Sequence, residues 1–447
     1  MRSTLFFIPH EFAGMTVFGY GWLLILLAIG CVGWMGWTAW NGKRRAAAGK
    51  EVDLVAEIIS GLPIWGVAAA LVAFVLPNIE QAVNVPGAAP LILGLPIRGY
   101  GVLVLIGLLS GIGITIHRGR SLGISPDLII SLGFWMMLGG VVGARIFYVV
   151  QKWDEFASRD LADRVFAIVK LTEGGLVIYG GMIGGILAAI VFCYKHRQPI
   201  RAIGDLVAPA FLIGLAFGRI GCLMNGCCFG GICMANLPTI QFPQGSGPYL
   251  VQLESGKLLG IELAARQTER GEATVASVEP GSLAAEAGVK PGNKIEKIQE
   301  YFAPFDPTAD PAAAPKVTAD VYLDQGLLSF SSAQLPAHSL PVHPSQIYAA
   351  INAALLSWLI WCIQPLPKRD GMAFLIAVLL AAGSRFLEEG IRSDEGGQLG
   401  TSLSIAQWIS LIAVAVAVPL ILLLQKTAPH RAWNWAGNRS GRSVSNG

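Results

Sequence analysis

Arg219 and Arg385 are the two residues whose positions most require a chemical explanation. They lie toward the ends of apolar segments at 204–224 and 371–388. An arginine at the centre of a bilayer costs about 2.5 to 3.5 kcal/mol on insertion scales, and less near the surface, so each needs a partner or a function. A guanidinium stays protonated and binds phosphate through two parallel hydrogen bonds. We therefore expect the two arginines to form a phosphate clamp; internal ion pairs with carboxylates are the alternative.

Other polar residues stand at the ends of apolar segments that the charge pattern assigns to the same side of the membrane. They are Tyr100, Arg145, Tyr179, Asn225, His343 and Glu389. Glu389 follows Arg385 by four residues and so shares its helix face, as an ion pair would. His343 is either a general base or, with Pro344 after it, a residue that sets the start of a helix. Asp205 is expected to cap the start of its own helix.

Four of the seven cysteines crowd into one stretch, at Cys222, Cys227, Cys228 and Cys233. Zinc-type C-x2-C spacing is absent and no histidine lies nearby, so the sequence predicts no metal and no cofactor. A disulfide that ties this stretch together and small apolar filler both remain open.

The composition is that of a polytopic membrane protein. Hydrophobic residues make up 53% of the 447 residues and charged residues only 14%. The net charge of +3 comes from short basic clusters between apolar runs, which indicates topology signals and not nucleic-acid binding. Nine segments have membrane-spanning length: 17–40, 54–76, 98–117, 127–150, 174–194, 204–224, 345–364, 371–388 and 403–425.

Basic clusters follow every second segment, so the N-terminus is expected outside and the C-terminus in the cytoplasm. The ends that carry Arg219 and Arg385, and the long insert after Arg219, are then extracytoplasmic. Apolar residues at helical spacing in 152–172 predict an amphipathic helix on the outer surface. Glycines four apart, as at Gly139 and Gly143, predict close helix packing.

The insert at 236–341 reads as a small α/β module. Residues 273–298 predict a strand, a turn at Pro280-Gly281, a short helix, a turn at Pro291-Gly292 and another strand. The pattern resembles a PDZ domain, in which the loop matching Leu258 to Ile261 binds a peptide C-terminus. A spacer that binds nothing is the alternative. The fold class is therefore an all-α polytopic membrane protein, with about nine helices and an inserted PDZ-like domain.

Five motifs carry a family resemblance. They are G-G-L-x-x-Y-G-G-x-I-G (174–184), D-L-V-A-P (205–209), G-R-I-G-x-x-x-N-G (218–226), H-P-S-Q-I-Y (343–348) and R-F-x-x-E-x-x-R (385–392). Together, over about 95–235 and 340–425, they resemble the prolipoprotein diacylglyceryl transferases of the bacterial inner membrane. The resemblance implies transfer of the diacylglyceryl group of phosphatidylglycerol to the lipobox cysteine of a preprolipoprotein, with release of glycerol 1-phosphate.

The resemblance assigns roles by position. Arg219 and Arg385 match the essential arginines, Tyr100 matches a motif tyrosine, Asn225 and Gly226 belong to the signature, and Glu389 matches the acid after the second arginine. Arg145 and His343 are further candidates for the same cluster. Tyr179 stands where better-known members have histidine, and Cys222 and Cys227 stand where asparagine and glutamate are common. A histidine base therefore cannot be assumed.

The predicted domains follow the match. They are an extra N-terminal helix pair (1–90), a membrane core in two parts (91–235 and 342–426), the insert (236–341) and a cytoplasmic tail (427–447). Three other classes compete with the enzyme: an anion transporter, an intramembrane protease, and a scaffold that presents the PDZ-like module. The outer-end position of the charges opposes the transporter, and no G-x-S-x-G or H-E-x-x-H occurs to support the protease.

Overall fold

A computed structural model gives the architecture. It describes residues 3–47, 53–83, 91–157, 160–169, 175, 177–233, 237–264, 273–302, 315–324, 326–392, 398, 400–433 and 435. Residues 434 and 436–447 of the predicted tail lie outside these ranges.

Thirteen α-helices lie in the described ranges. They are α1 Trp22–Ala47, α2 Leu54–Ala70, α3 Gly99–Ser121, α4 Pro126–Gln151, α5 Trp153–Ala157, α6 Leu161–Val169, α7 Ile178–Lys195, α8 Ile200–Asn225, α9 Gly247–Glu254, α10 Leu283–Glu286, α11 Ser345–Ile363, α12 Met372–Glu389 and α13 Ile405–Lys426.

Ten strands accompany them in the same ranges. They are β1 Thr4–Ile8, β2 Glu11–Phe12, β3 Met15–Thr16, β4 Gln81–Val83, β5 Leu91–Arg98, β6 Ile261–Leu263, β7 Ala273–Val278, β8 Lys294–Phe302, β9 Val317–Leu323 and β10 Gly326–Phe330.

Seven of the described helices are long and apolar enough to cross a membrane. They are α1, α2 with its continuation to Ile79, α3, α4, α8, α11 and α13. The prediction of a polytopic membrane protein is confirmed at this level. Helices also lie at the other two predicted segments: the apolar part of α7 is shorter, and α12 carries Arg385, Glu388 and Glu389 in its 18 residues.

The described chain divides into two compact units. One comprises residues 100–252 and 338–447, and the other comprises 2–99 and 253–337. Arg219 and Arg385 both belong to the first unit.

In the first unit, glycines hold α4 against α7. A Cβ built on Gly143 would clash with the carbonyl oxygen of Gly180, and one on Gly184 would clash with that of Gly139. The small residues thus let the two backbones come into contact, as the four-residue spacing predicts.

A second set of contacts joins α8, α11 and α12. Ala208 and Leu212 of α8 pack with Ile360 and Ala377 in one buried cluster. Polar contacts supplement the apolar ones, because the Ser357 hydroxyl donates to the carbonyl oxygen of Pro209 at 2.8 Å. These three helices carry the candidate site.

Asp205 does not cap its own helix, and that prediction is wrong. Helix α8 begins at Ile200, so Asp205 lies inside it and is fully buried. Its carboxylate accepts hydrogen bonds from the backbone N–H groups of Gly371 and Phe374, both at 2.8 Å. It therefore satisfies the free N–H groups at the start of α12, a helix that begins 167 residues later in the chain.

The prediction of one amphipathic helix over 152–172 is also wrong in its extent. Two short helices, α5 and α6, lie there, and residues 158–159 and 170–172 are outside the described range. Phe156 of α5 is buried, whereas Leu161 and Val165 of α6 are exposed. The exposed apolar face of α6 is the kind that rests on a membrane surface.

The second unit contains strands that the sequence analysis missed. In its N-terminal part β1, β5 and β4 form an antiparallel sheet, and β2 and β3 form a small hairpin before α1. The prediction that the N-terminal region is all-α is therefore wrong. The strands are short, and the apolar residues of β5 run directly into α3, so their pattern merges with that of the following helix.

The insert forms a five-stranded antiparallel sheet in the order β10-β9-β8-β7-β6. Helix α10 lies between β7 and β8, with turns in which Gly281 (φ 75°) and Gly292 (φ 93°) adopt left-handed conformations. The elements predicted for 273–298 are thus present in the predicted order. Strand β6, next to the predicted peptide-binding loop, forms one edge of the sheet.

Candidate active site

Arg219 and Arg385 line one pocket. Helices α8, α11 and α12 form its walls. Its polar lining consists of Arg219, Asn352, Ser384, Arg385 and Glu388. The remaining lining is aliphatic, from leucines and alanines of the same helices. A charged group attached to a hydrocarbon chain is the kind of ligand that such a lining suits.

Glu389 fixes Arg385 through an ion pair. The distance from Arg385 Nη1 to Glu389 Oε2 is 2.5 Å, and Arg392 Nη1 approaches the same oxygen at 3.2 Å. Glu389 is buried, and among the described residues its Oε1 has no hydrogen-bond partner. Glu389 therefore forms ion pairs with Arg385 and Arg392, as the ion-pair alternative predicts. Arg385 still lines the pocket, because Glu389 lies one turn further along α12 on the same helix face.

The lining of the pocket has a net positive charge. Arg219 and Arg385 supply two positive charges and Glu388 supplies one negative charge, which leaves one positive charge. Among the residues the structure describes, Arg219 forms no ion pair. Arg219 and Arg385 line the same pocket. Two guanidinium groups on one pocket lining favour an anion between them.

Asn352 orients the remaining carboxylate. Its Nδ2 donates to Glu388 Oε1 at 2.8 Å, across from α11 to α12. Sequence reasoning missed Asn352 and Ser384. Asn352 did offer a signal, since an amide in an apolar membrane segment needs a polar partner.

The loop after α8 is fastened to the start of α11. Gly226 adopts φ 71°, a left-handed conformation that closes the helix and that suits glycine. Beyond it, the Ser345 hydroxyl donates to the Cys228 carbonyl oxygen and Gln346 Nε2 donates to that of Cys227, each at 2.8 Å. The polar residues of the H-P-S-Q motif thus hold the signature loop.

His343 acts in the same fastening through its backbone. Its carbonyl oxygen accepts from the N–H of Gly230 at 3.1 Å, and its N–H donates to Gly231 at 3.0 Å. Gly231 in turn donates to the carbonyl oxygen of Ile391 just after α12. The loop therefore connects the ends of α8 and α12, which carry Arg219 and Arg385. These contacts support a positioning role for His343; a general-base role for its side chain stays a prediction.

The thiols of Cys222, Cys227 and Cys228 lie together, all within 4.8 Å of one another. None of the three forms a disulfide. The pKa of Cys228 is lowered, because the neighbouring thiols of Cys222 and Cys227 hydrogen-bond to it and because Arg392 and Arg219 place positive charge nearby. Cys233 is buried, and its N–H bonds to the Pro341 carbonyl oxygen at 2.9 Å.

Tyr100 and Asn225 adjoin this cluster. The Tyr100 ring packs on Gly221, where an added Cβ would come within 2.9 Å of it, and Arg219 acts on the tyrosine electrostatically. Asn225 is exposed and its Nδ2 lies 3.7 Å from Cys227 Sγ. Both therefore lie at the end of α8 that carries Arg219.

Arg145 has a different environment. Its guanidinium donates to the carbonyl oxygens of Ala167 at 2.7 Å, Ile168 at 2.8 Å and Gly175 at 3.1 Å. It is buried and ties the end of α6 and Gly175, which precedes α7, to α4. These contacts support a structural role and do not support the predicted part in phosphate binding.

Tyr179 lies in the first turn of α7 and is partly buried. The preceding Val177 donates its N–H to the Ala144 carbonyl oxygen at 3.2 Å, which fixes this end of α7 against α4. The catalytic role of Tyr179 stays a prediction.

The fold and the pocket define a class: a polytopic membrane protein with an arginine-lined site between apolar helices. A family model described as prolipoprotein diacylglyceryl transferase matches residues 86–423. The chain belongs to the prolipoprotein diacylglyceryl transferase family, which confirms the resemblance carried by its motifs.

Individual relatives agree. The chain is 35% identical over 452 residues to the phosphatidylglycerol–prolipoprotein diacylglyceryl transferase of Rhodopirellula baltica, covering 95% of this chain and 89% of that protein. It is 30% identical over 325 residues to the protein of that name from Clostridium tetani, covering 73% and 92% respectively. A shorter match to the Trichormus variabilis protein of that name is 37% identical over 134 residues, covering 30% and 46%.

Proposed function

We propose that this chain transfers the diacylglyceryl group of phosphatidylglycerol to the lipobox cysteine of a preprolipoprotein, forming a thioether and releasing glycerol 1-phosphate. The observation that carries this proposal is the shared pocket of Arg219 and Arg385. The family membership and the names of the relatives support it.

The two arginines bind the phosphate of phosphatidylglycerol. The bond that breaks joins a carbon of the diacylglyceryl group to a phosphate oxygen. Its electron pair leaves with that oxygen, and the guanidinium groups stabilise the growing negative charge. The aliphatic lining accommodates the acyl end of the lipid, and exclusion of water strengthens the electrostatic attraction.

Glu389 and Asn352 serve to position the clamp. Glu389 holds Arg385 in one orientation and is itself neutralised by Arg392. Asn352 keeps Glu388 on the wall of the pocket, where it can accept a hydrogen bond from the glycerol headgroup hydroxyls. Asn225 and Gly226 shape the adjoining loop.

The incoming thiol must lose its proton, because the thiolate is the nucleophile. Tyr179 takes the position of the histidine in better-known members, and it either accepts this proton or hydrogen-bonds the phosphate. Tyr100, beside Arg219, is the second tyrosine of the site.

The proposed setting is a bacterial inner membrane. Nine spanning helices, with the N-terminus outside and the C-terminus in the cytoplasm, put the pocket toward the extracytoplasmic face, where lipoprotein precursors emerge. The alternation of basic loops supports this topology.

The insert is proposed to dock a peptide C-terminus at the loop that precedes β6. Gly256 (φ 78°) and Gly260 (φ 76°) shape this loop, and among the described strands β6 is an edge strand, to which a peptide strand can add. Deletion of residues 240–335 is then expected to narrow the range of lipoproteins modified. An unchanged range would contradict the docking role.

Complementation tests the proposed function. A cell depleted of its own transferase should regain growth and produce a lipidated model lipoprotein, seen as a mass shift, when it expresses this chain. A variant with Arg219→Gln, present in the membrane at equal amount, is the control and should fail. Failure of the well-expressed wild-type chain would overturn the proposal.

A further inference from the structure

The three-thiol cluster of Cys222, Cys227 and Cys228 is not explained by phosphate binding. It arises because α8 ends at Asn225 and Gly226 turns the chain back with φ 71°. The N–H of Cys227 then bonds to the carbonyl oxygen of Cys222 at 3.1 Å, which brings the next two side chains alongside the last turn of the helix. The sequence did not predict this arrangement, because the spacing of the three cysteines matches no common zinc motif.

The cluster has dimensions that suit a metal ion. Its sulfur atoms all lie within 4.8 Å of one another. Three thiolates at about 2.3 Å from a tetrahedral zinc ion stand about 3.8 Å apart. A contraction of at most about 1 Å brings the sulfurs to this spacing, and rotations about the Cα–Cβ bonds supply such movements.

Positive charge adjoins the cluster, because Arg219 lies three residues before Cys222 on α8. Three thiolates around a divalent ion carry one net negative charge, which this guanidinium group offsets. All three thiols are partly exposed, so an ion can reach them.

We infer that Cys222, Cys227 and Cys228 form a site for a thiophilic d10 metal ion, Zn²⁺ or Cu⁺. In the tetrahedral zinc complex, three protein ligands leave the fourth position open. The identity of the fourth ligand rests on the proposed function: it is the thiolate of the lipobox cysteine.

Such coordination supplies the activation that the transfer needs. On binding, the substrate thiol releases its proton to solvent and its sulfur becomes a metal-bound thiolate. That sulfur then forms a bond to the carbon of the diacylglyceryl group that carries the phosphate. The bond from this carbon to the phosphate oxygen breaks, and its electron pair leaves with the phosphate. Cys222 follows Arg219 by three residues on α8, so both occupy the same helix face.

Cadmium binding tests the metal site without relying on activity. Full-length protein in detergent, reduced and metal-free, should take up about one equivalent of Cd²⁺ with a thiolate-to-cadmium charge-transfer band in the ultraviolet. Competition by Zn²⁺ or by Cu⁺ identifies the preferred ion. The band should vanish in Cys227→Ser/Cys228→Ser and persist in Cys31→Ser/Cys362→Ser, whose cysteines lie outside the cluster.

Three outcomes would overturn the site: no band, a band that survives in Cys227→Ser/Cys228→Ser, or a disulfide within the cluster whose reduction yields no metal binding. For the fourth position, protein loaded with Co²⁺ should change its visible spectrum when a lipobox peptide is added and not when its serine analogue is added. An unchanged spectrum contradicts thiolate coordination. Full transferase activity in metal-free protein would sink the metal step and leave the proposed function intact, whereas metal binding without any transferase activity would contradict the proposed function.

Discussion

Glu389 lies one helical turn after Arg385 on α12, and its Oε2 is 2.5 Å from Arg385 Nη1. The same carboxylate binds Arg392, so one buried acid holds two arginines at the end of a helix. Such a pair lowers the cost of an arginine in an apolar setting and fixes its direction.

Glu389→Gln should reduce both stability and transfer. Breaking a buried pair by removing one partner costs about 3 to 5 kcal/mol, because the remaining charge loses its compensation. We expect a lower thermal midpoint in detergent and at least about a tenfold loss of kcat/KM, equivalent to about 1.4 kcal/mol. Glu296→Gln, at an exposed position of β8, is the control. Wild-type values for Glu389→Gln would contradict the positioning role.

Asp205→Ala should destabilise the bundle without touching the pocket. It removes the acceptor for two N–H groups at the start of α12, and loss of a helix cap costs about 0.5 to 2 kcal/mol. Thermal unfolding followed by fluorescence measures the effect. Asp127→Ala, in the exposed first turn of α4, should produce a smaller shift. Equal shifts would mean that the contact between α8 and α12 is unimportant.

Gly184→Ala should separate α4 from α7. The added methyl group meets the carbonyl oxygen of Gly139, and overpacking of this kind costs about 1 to 3 kcal/mol. Gly113→Ala in α3, where no atom lies within 4 Å of the new Cβ, should be neutral or slightly stabilising. Thermal midpoints of the two variants in the same detergent give the comparison. A Gly184→Ala protein as stable as wild type would argue against tight packing here.

Tyr179→Phe tests the tyrosine that replaces the usual histidine. Loss of a general base lowers kcat by about 100-fold or more, while loss of a hydrogen bond to phosphate raises KM for phosphatidylglycerol. Tyr194→Phe, at the exposed far end of α7, should behave like wild type. Full activity of Tyr179→Phe would remove Tyr179 from the site.

The sequence predicted the features that depend on local composition. Apolar length identified the helices, and the polar residues at their ends made Arg219, Arg385 and Glu389 candidates for the site. The four-residue glycine spacing predicted the contact between α4 and α7, because such spacing has one common physical cause.

Features that depend on contacts distant in the chain were missed. Asp205 reads as a cap for the nearest helix start, but the free N–H groups it serves belong to α12. Arg145 reads as a phosphate ligand, but three backbone carbonyls use its donors. The thiol cluster needs the left-handed turn at Gly226, and Asn352 acquires its partner only when α11 meets α12.

The central claim is that Arg219 and Arg385 together bind the phosphate that leaves. The most direct test uses the purified protein with phosphatidylglycerol and a lipobox peptide. The mass of the peptide and the release of glycerol phosphate measure the reaction. Arg219→Lys and Arg385→Lys keep the charge but lose the bidentate geometry, and each should lower kcat/KM by about 100-fold or more. Arg120→Lys, at the exposed other end of α3, should leave the rate unchanged. Wild-type rates in both Arg219→Lys and Arg385→Lys would contradict the claim.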